Sequence, residues 1–305
     1  MKLTRRTFLG ASVAAVAGLE HADALAAAAP AGPDLVEVSG TDVPAMVKAA
    51  FDALGGIGKF VRAGDYVVLK PNAGFANPAV WGSTTNPDVV VAVAKLCLDA
   101  KAKQVLVVEY PQAKGAVCLE RCGLTAALAT VPAVKVKVLT GAPGEYQKTE
   151  IKDGVSLKSV ELSKAFLSAD VFINLPVAKH HFQAGVSMGL KNFMGLIQDR
   201  QAFHTTLDLH QAIADLGRVC KPQLTVLDAT RALITNGPAG PGETVTPNKI
   251  LAGRMVASVD AYALTLARFN QKQLTPADVK HIELAGKAGL GAIDLAKLDV
   301  KKVAI

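Results

Sequence analysis

The sequence predicts an α/β protein with a mostly parallel sheet flanked by helices. Three observations carry that expectation. Apolar runs of strand length recur at 65–70, 104–109, 171–175 and 223–228, and segments of helical periodicity separate them. Two of the runs, Asp65–Lys70 and Gln104–Glu109, bracket one helical segment, which makes a βαβ unit with parallel strands and a right-handed crossover. Between such segments lie turn-forming stretches, the clearest being Thr235–Gly242, too rich in glycine and proline for regular structure.

In chain order, Asp34–Ser39 reads as a first strand, and Asp42–Leu54 as a helix stopped by Gly55 and Gly56. Asp65–Lys70 is the next strand. Asn86 then caps a helix reaching about Lys101, with Pro87 at its first position and Asp88 complementing its dipole. Gln104–Glu109 is a strand, Gly115–Ala129 a helix and Val134–Leu139 a strand. Lys148–Leu162 alternates and turns at Asp153-Gly154 as a hairpin, and Leu162–Leu167 is a short helix. Val171–Leu175 is a buried strand ending at Pro176. Leu207, Ile213, Leu216 and Val219 form a helical stripe within 205–219, followed by the strand Gln223–Asp228. Lys249–Ala257 reads as a strand, Asp260–Arg268 and Pro276–Ala285 as helices, and Val300–Ile305 as a last strand. Residues 31–305 form the α/β domain; a division into two lobes, with a boundary near 140–165, stays open.

Residues 1–30 read as a targeting segment outside that domain: Lys2, Arg5 and Arg6, a weakly apolar core, then small residues around Ala24–Ala27. Thr4-Arg-Arg-Thr-Phe-Leu9 resembles a twin-arginine signal. That resemblance implies the twin-arginine export machinery as a partner, a periplasmic or otherwise exported location, and export in the folded state with any cofactor aboard. The alternatives are an ordinary secretory signal or an uncleaved anchor. Against an anchor, the apolar run is too short to span about 30 Å of hydrocarbon and is broken by Glu20, His21 and Asp23.

The net charge of +7 falls to about +6 without the first thirty residues. Basic residues are scattered rather than clustered with aromatics, which argues against nucleic acid and leaves a small anionic ligand or a solvated surface. None of the four cysteines forms a Cys-x-x-Cys pair, so no iron–sulfur cluster is expected from this chain alone, and a redox or metal role for Cys118 and Cys122 stays open. Cys118 and Cys122, four apart on a helix, are poorly placed for a disulfide and read as thiols.

The densest chemistry lies at 169–210, where four of the six histidines fall. In an α/β sheet, ligands bind beyond the carboxyl ends of the strands, and this segment follows such an end. His180 and His181 are adjacent, so at most one faces the cleft. His181, Lys191 and Lys70 are expected to border one pocket, with Asn72, Thr85 and Asn192 binding ligand, and Asp228 and the Asn236–Pro238 loop on its rim. His181 and His204 are the candidate metal ligands, and His181 and Lys191 the candidate catalytic residues. Each has a plainer reading: Lys70 as a solvated strand cap, Lys191 on an exposed helix, Glu109 and Asp228 as ion-pair or capping groups, His210 and His281 on helix surfaces. Gly185-Val-Ser-Met-Gly189 meets the Gly-x-Ser-x-Gly pattern, with Asp228 and His281 downstream in hydrolase order, but it starts ten residues after the strand it should follow.

VVLKPN at 67–72, TTNPDVVVAVAKL, ADVFINLPVAKHH, SMGLKNFMG, LTVLDATRALITNGPAGPG and SVDAYAL come in the order of the domain-of-unknown-function 362 (DUF362) family, which the chain resembles from about Asp65 to Gly291. A more limited likeness is to the nickel-pincer lactate racemases. Their His-x-x-Ala-Gly-x-x-Gly-Gly-x-Lys segment is similar to HHFQAGVSMGLK, with His181 and Lys191 at the matching positions and His204 near a further metal-binding histidine. This likeness implies a transition metal or a metal-containing organic cofactor, with Lys191 binding it or linked to it. The match departs at Met188, where that motif has glycine, and no histidine between His21 and His180 supplies the second catalytic histidine. Together these readings point to an exported metal- or cofactor-dependent enzyme acting on a small anion, or alternatively to a non-catalytic periplasmic binding or accessory protein.

Overall fold

A computed structural model describes residues 32–305, so the targeting segment lies outside the described residues. The elements in chain order are β1 (Leu35–Ser39), α1 (Val43–Ala53), β2 (Tyr66–Pro71), α2 (Pro87–Asp99), β3 (Gln104–Glu109), α3 (Gly115–Arg121), α4 (Leu124–Ala129) and β4 (Lys135–Val138). They continue with β5 (Tyr146–Glu150), β6 (Ser159–Ser163), α5 (Lys164–Leu167), β7 (Val171–Leu175), β8 (Val177–His181), β9 (Gly185–Ser187), α6 (Gly189–Asn192), α7 (Ala202–Thr205) and α8 (Leu209–Gly217). The last are β10 (Leu224–Leu233), β11 (Thr244–Val245), β12 (Lys249–Gly253), α9 (Val256–Ala263), α10 (Lys280–Lys287) and β13 (Val300–Ala304).

The main sheet orders as β13-β1-β12-β10-β7-β2-β3-β4, with β8, β9 and β11 attached beside β10. Pairing is parallel from β10 through β4. Only β12 runs against its neighbours on this path. The fold is therefore the expected mostly parallel α/β sheet. β5 and β6 form a separate antiparallel ladder in the stretch 140–165.

Strands buried on both faces must be apolar throughout, and this is why they stand out as continuous runs. In β2, Val67 and Leu69 enter one core while Val68 enters the other; in β3, Val105 and Val107 alternate with Leu106 and Val108 in the same way. Helices α1, α2, α3 and α4 contribute to the core on one face, and α8, α9 and α10 to the core on the other. Helix starts follow capping chemistry: Asp42 accepts from Ala45 N at 3.0 Å, and Asn86 from Asp88 N at 3.1 Å.

Several boundaries differ from expectation. The chain does not leave the sheet at Pro176: β8 follows at once and pairs in parallel with β10. The helix expected at 115–129 breaks into α3 and α4 at Gly123, whose φ of +83° is left-handed. The strand expected at 249–257 ends at Gly253, and α9 starts at Val256, because the run Met255–Val259, apolar apart from Ser258, suits a buried helix equally. His281 is not on a helix surface; it is fully buried, its ring stacked against His210 at 5.8 Å.

Candidate functional site

Parallel pairing sends the carboxyl ends of β2, β3 and β7 to one edge of the sheet, and a cavity of about 460 Å³ lies there. This is the scale of a small-molecule site. Lys70, Glu109, Lys179, His181, Lys191 and Arg200 line it, together with Asn72, Asn192, His204 and Pro238. The structure thus brings His181, Lys191, Lys70, Asn72, Asn192 and His204 to one pocket.

Lys70, at the end of β2, is buried, not the solvated cap of the plainer reading, and donates to Glu109 Oε2 at 2.8 Å and to Pro71 O at 2.6 Å. Glu109 ends the neighbouring strand β3 and also accepts from the backbone amides of Ala73 and Tyr110. Burial pulls Lys70 below the usual lysine range even with Glu109 against it. Gly195 passes directly over this pair; a Cβ there would collide with Lys70 Nζ and the Glu109 carboxylate. Glycine is required because no side chain fits between backbone and ion pair.

Lys179 lies in the 169–210 segment, but no local pattern in the sequence gives it a role of its own. It sits two residues before His181 in β8, so the period of a strand turns both to the same side. Its Nζ donates to Asn72 Oδ1 at 3.0 Å and Ser83 O at 2.6 Å, and lies 4.7 Å from the Phe75 ring centre. From Asn72 a line of amides runs inward. Asn72 Nδ2 donates to Asn192 Oδ1, Asn192 Nδ2 to Asn174 Oδ1, and Asn174 Nδ2 to the Gly189 carbonyl. Asn72 and Asn192 therefore hold Lys179 and the β2, β7 and α6 backbones in register.

Lys191 lies on α6, a single turn docked by Asp260, whose two carboxylate oxygens accept from Gly189 N and Leu190 N, both at 2.8 Å. That arrangement buries Lys191 to 7% exposure, against the reading of an exposed helix residue. Its Nζ contacts Met194 Sδ at 3.2 Å, a weak acceptor. Burial, reinforced by Arg200, lowers Lys191 to about 7; burial, with Lys191 and Lys70 nearby, lowers Lys179 to about 7 despite Glu109. Among the described residues, neither lysine has a carboxylate in ion-pair contact.

His181 is also buried, and its Nδ1 accepts from the backbone amides of Gln183 and Ala184 at 3.2 Å each. Burial, with Lys191 and His204 beside it, pushes it down to about 2, so the ring is neutral. With Nδ1 an acceptor, the proton resides on Nε2, and His181 is a hydrogen-bond donor rather than a base titrating near neutrality. This donor pattern also opposes the metal-ligand role expected of it, since binding through Nε2 would move the proton onto the nitrogen that faces two N–H groups. His204 stacks on His181 at 5.9 Å, and its Nδ1 bonds Gln183 Oε1 at 2.6 Å. Among the described residues no three His, Cys, Asp or Glu side chains gather as a metal set. Among the described residues, the side chains at this pocket do not by themselves make up a metal-ligand set.

Three expected ligand-binding residues do not line the cavity. Thr85 Oγ1 accepts from Asn72 N and donates to Leu175 O, fixing the loop that carries Asn72. Asp228 is fully buried and accepts from Asn86 N and from Thr230, which pins the start of α2 and leaves it unable to orient a histidine as a hydrolase acid would. Asn236 Nδ2 donates to Pro241 O within its own loop, where Pro238 alone reaches the pocket. All four cysteines are buried, and among the described residues none is in a disulfide.

Comparison with known proteins adds three findings. A family model described as Domain of unknown function (DUF362) matches residues 67–265. A thylakoid-associated protein of Synechocystis sp. is 30% identical over 255 residues, covering 81% of this chain and 75% of that protein. Among solved structures, the lactate racemase apoprotein from Thermoanaerobacterium thermosaccharolyticum is similar with a TM-score of 0.46 at 11% identity. That similarity covers 69% of this chain and 54% of the apoprotein, so the chain spans about half its length. No helix among the described residues is long and apolar enough to cross a membrane.

Proposed function

The chain belongs to the DUF362 family, and on that premise we propose that it is an exported enzyme acting on a small organic anion held in the cationic pocket. One observation carries the reading: Lys179 and Lys191 are both buried, both line the same cavity, and neither contacts a carboxylate. Burying an ammonium without a counter-charge costs several kcal/mol, and an anionic ligand removes that cost in the bound state. Glu109 does not neutralise the site, because Lys70 and two amides already occupy it. Arg200 adds a further positive group, anchored through the Tyr110 and Pro111 carbonyls.

Catalysis rather than storage is favoured by Lys191. A binder gains from donors fixed by good acceptors, as Lys179 is, whereas Lys191, brought like Lys179 to about 7, has a thioether as its hydrogen-bond acceptor. The Nε2–H of His181 supplies a neutral donor toward a substrate oxygen. The exported location rests on the Thr4–Leu9 pattern.

Thermal denaturation of the purified protein in millimolar acetate, oxalate, succinate, pyruvate and phosphate tests the reading. Stabilisation by at least one anion, weakened at least tenfold in apparent affinity by Lys179→Met, is expected. Absence of stabilisation by all five would remove the function proposed.

A further inference from the structure

The two unpaired lysines of the pocket are not equivalent. Lys179 gives two of its three hydrogens to oxygen acceptors, Asn72 Oδ1 and Ser83 O, and lies over the Phe75 ring. Burial brings both lysines to about 7, but these contacts fix the Lys179 nitrogen and favour its ammonium form. Lys191 has only the Met194 sulfur as an acceptor among the described residues, which favours a free amine over an ammonium. Arg200 is close enough to disfavour a second positive charge, and burial acts in the same direction. A lysine desolvated beside another cation is the arrangement that activates an amine as a nucleophile toward carbonyl carbon.

From this asymmetry we propose that Lys191 forms a Schiff base with a carbonyl group of the substrate, making the substrate class a small carboxylate that carries a ketone or aldehyde. The inference rests on the anion-binding reading above. Lys179 and Arg200 hold the carboxylate, and His181 donates from Nε2 to the carbonyl oxygen. The Lys191 nitrogen lone pair forms a C–N bond while the carbonyl π pair moves to oxygen. A proton passes from nitrogen to oxygen to give a carbinolamine. The C–O bond then breaks as nitrogen forms C=N, and the oxygen leaves as water with the second nitrogen proton. No oxidant or reductant is consumed.

Docking on α6 gives the nucleophile its rigidity. Asp260 caps both leading amides of that turn, and the amide line from Lys179 through Asn72 and Asn192 ties it to β2 and β7. A covalent intermediate demands this fixed placement, because an error of about 1 Å at the attacking atom costs on the order of a hundredfold in rate.

The test is reductive trapping. The purified protein is incubated with glyoxylate, pyruvate or 2-oxoglutarate and sodium borohydride, digested, and mapped by mass spectrometry. A reduced adduct concentrated on Lys191, at least tenfold above any other lysine, is expected with at least one of them. Succinate, which has no carbonyl, should compete but give no adduct, and Lys191→Arg should lose the adduct. Adducts spread over exposed lysines, or concentrated on Lys179, overturn the proposal. Thermal stabilisation by these anions without trapping overturns the Schiff base and leaves the anion site standing. Neither stabilisation nor trapping removes both.

Discussion

Lys70 and Glu109, at the carboxyl ends of adjacent parallel strands, form a buried ion pair at 2.8 Å in the floor of the cavity. The Glu109 carboxylate accepts three hydrogen bonds, from one lysine and two backbone amides, which fixes its orientation. Removing one partner is costlier than lacking both, because the survivor is left charged and dry. Glu109→Gln should therefore lower stability by roughly 3–5 kcal/mol in urea denaturation. A loss within about 0.5 kcal/mol would show that Lys70 finds another partner or releases its proton without penalty.

Gly195→Ala probes the same pair from above. The added methyl would meet Lys70 and Glu109 side chains that are buried and mutually bound, so neither can swing aside. A destabilisation of roughly 1–3 kcal/mol is expected from overpacking. Its cost should be non-additive with Glu109→Gln, since both changes act on one ion pair. Strictly additive losses in the double variant would place the effect of the methyl elsewhere.

How much of this was legible follows from sequence distance. The strands β2, β3 and β7 were readable because double-sided burial writes continuous apolar runs, and the helices α1 and α2 because their caps, Asp42 and Asn86, lie next to what they cap. Lys70, His181 and Lys191 were findable from strand-end position and glycine spacing. Lys179 was hidden by Pro176: a strand that ends there has no alternation to place Lys179 with His181, whereas β8 supplies it. Asp228 drew notice as a strand-end acid, yet its partner Asn86 lies 142 residues away and no local pattern announces it. The Asp260 cap on Gly189, 71 residues distant, is equally silent in the sequence.

Asp260→Asn tests that distant cap. The two carboxylate oxygens accept from two successive amides, whereas an asparagine offers one oxygen and turns an NH2 toward the other donor. One buried N–H is then unsatisfied, at about 1–3 kcal/mol. Because α6 carries Lys191, borohydride trapping should fall further than global stability alone predicts. Unchanged trapping in a folded Asp260→Asn protein would show that the cap does not position the lysine.

Replacing Arg5 and Arg6 together by lysine tests the export proposal, since paired arginines distinguish the twin-arginine route from the general secretory one. The precursor of the double variant should accumulate in the cytoplasm, detected by fractionation and immunoblotting. Continued export would assign the protein to the general pathway and remove the inference that it folds before crossing.

Lys191→Met gives a prediction whose sign depends on pH. Burial and Arg200 bring Lys191 from 10.5 to about 7 in the folded chain, while the unfolded chain keeps the ordinary value. Between those two values the unfolded state binds more protons, so wild-type stability rises with pH across this window. The burden of the lysine is thus complete below about pH 7 and vanishes as pH approaches 10.5. Methionine carries no such burden and is compatible with the Met194 contact. The variant should exceed the wild type in stability at pH 6 by an amount on the order of 5 kcal/mol, shrinking steadily toward pH 10. Lys179 shifts in the same direction, and removing Lys191 relieves part of that shift, which adds to the gap with the same sign at low pH. Urea denaturation of the two proteins at pH 6, 8 and 10 measures the difference. A gap that stays constant with pH would mean that Lys191 is not the titrating group, and the case for its amine as a nucleophile at neutral pH would fall with it.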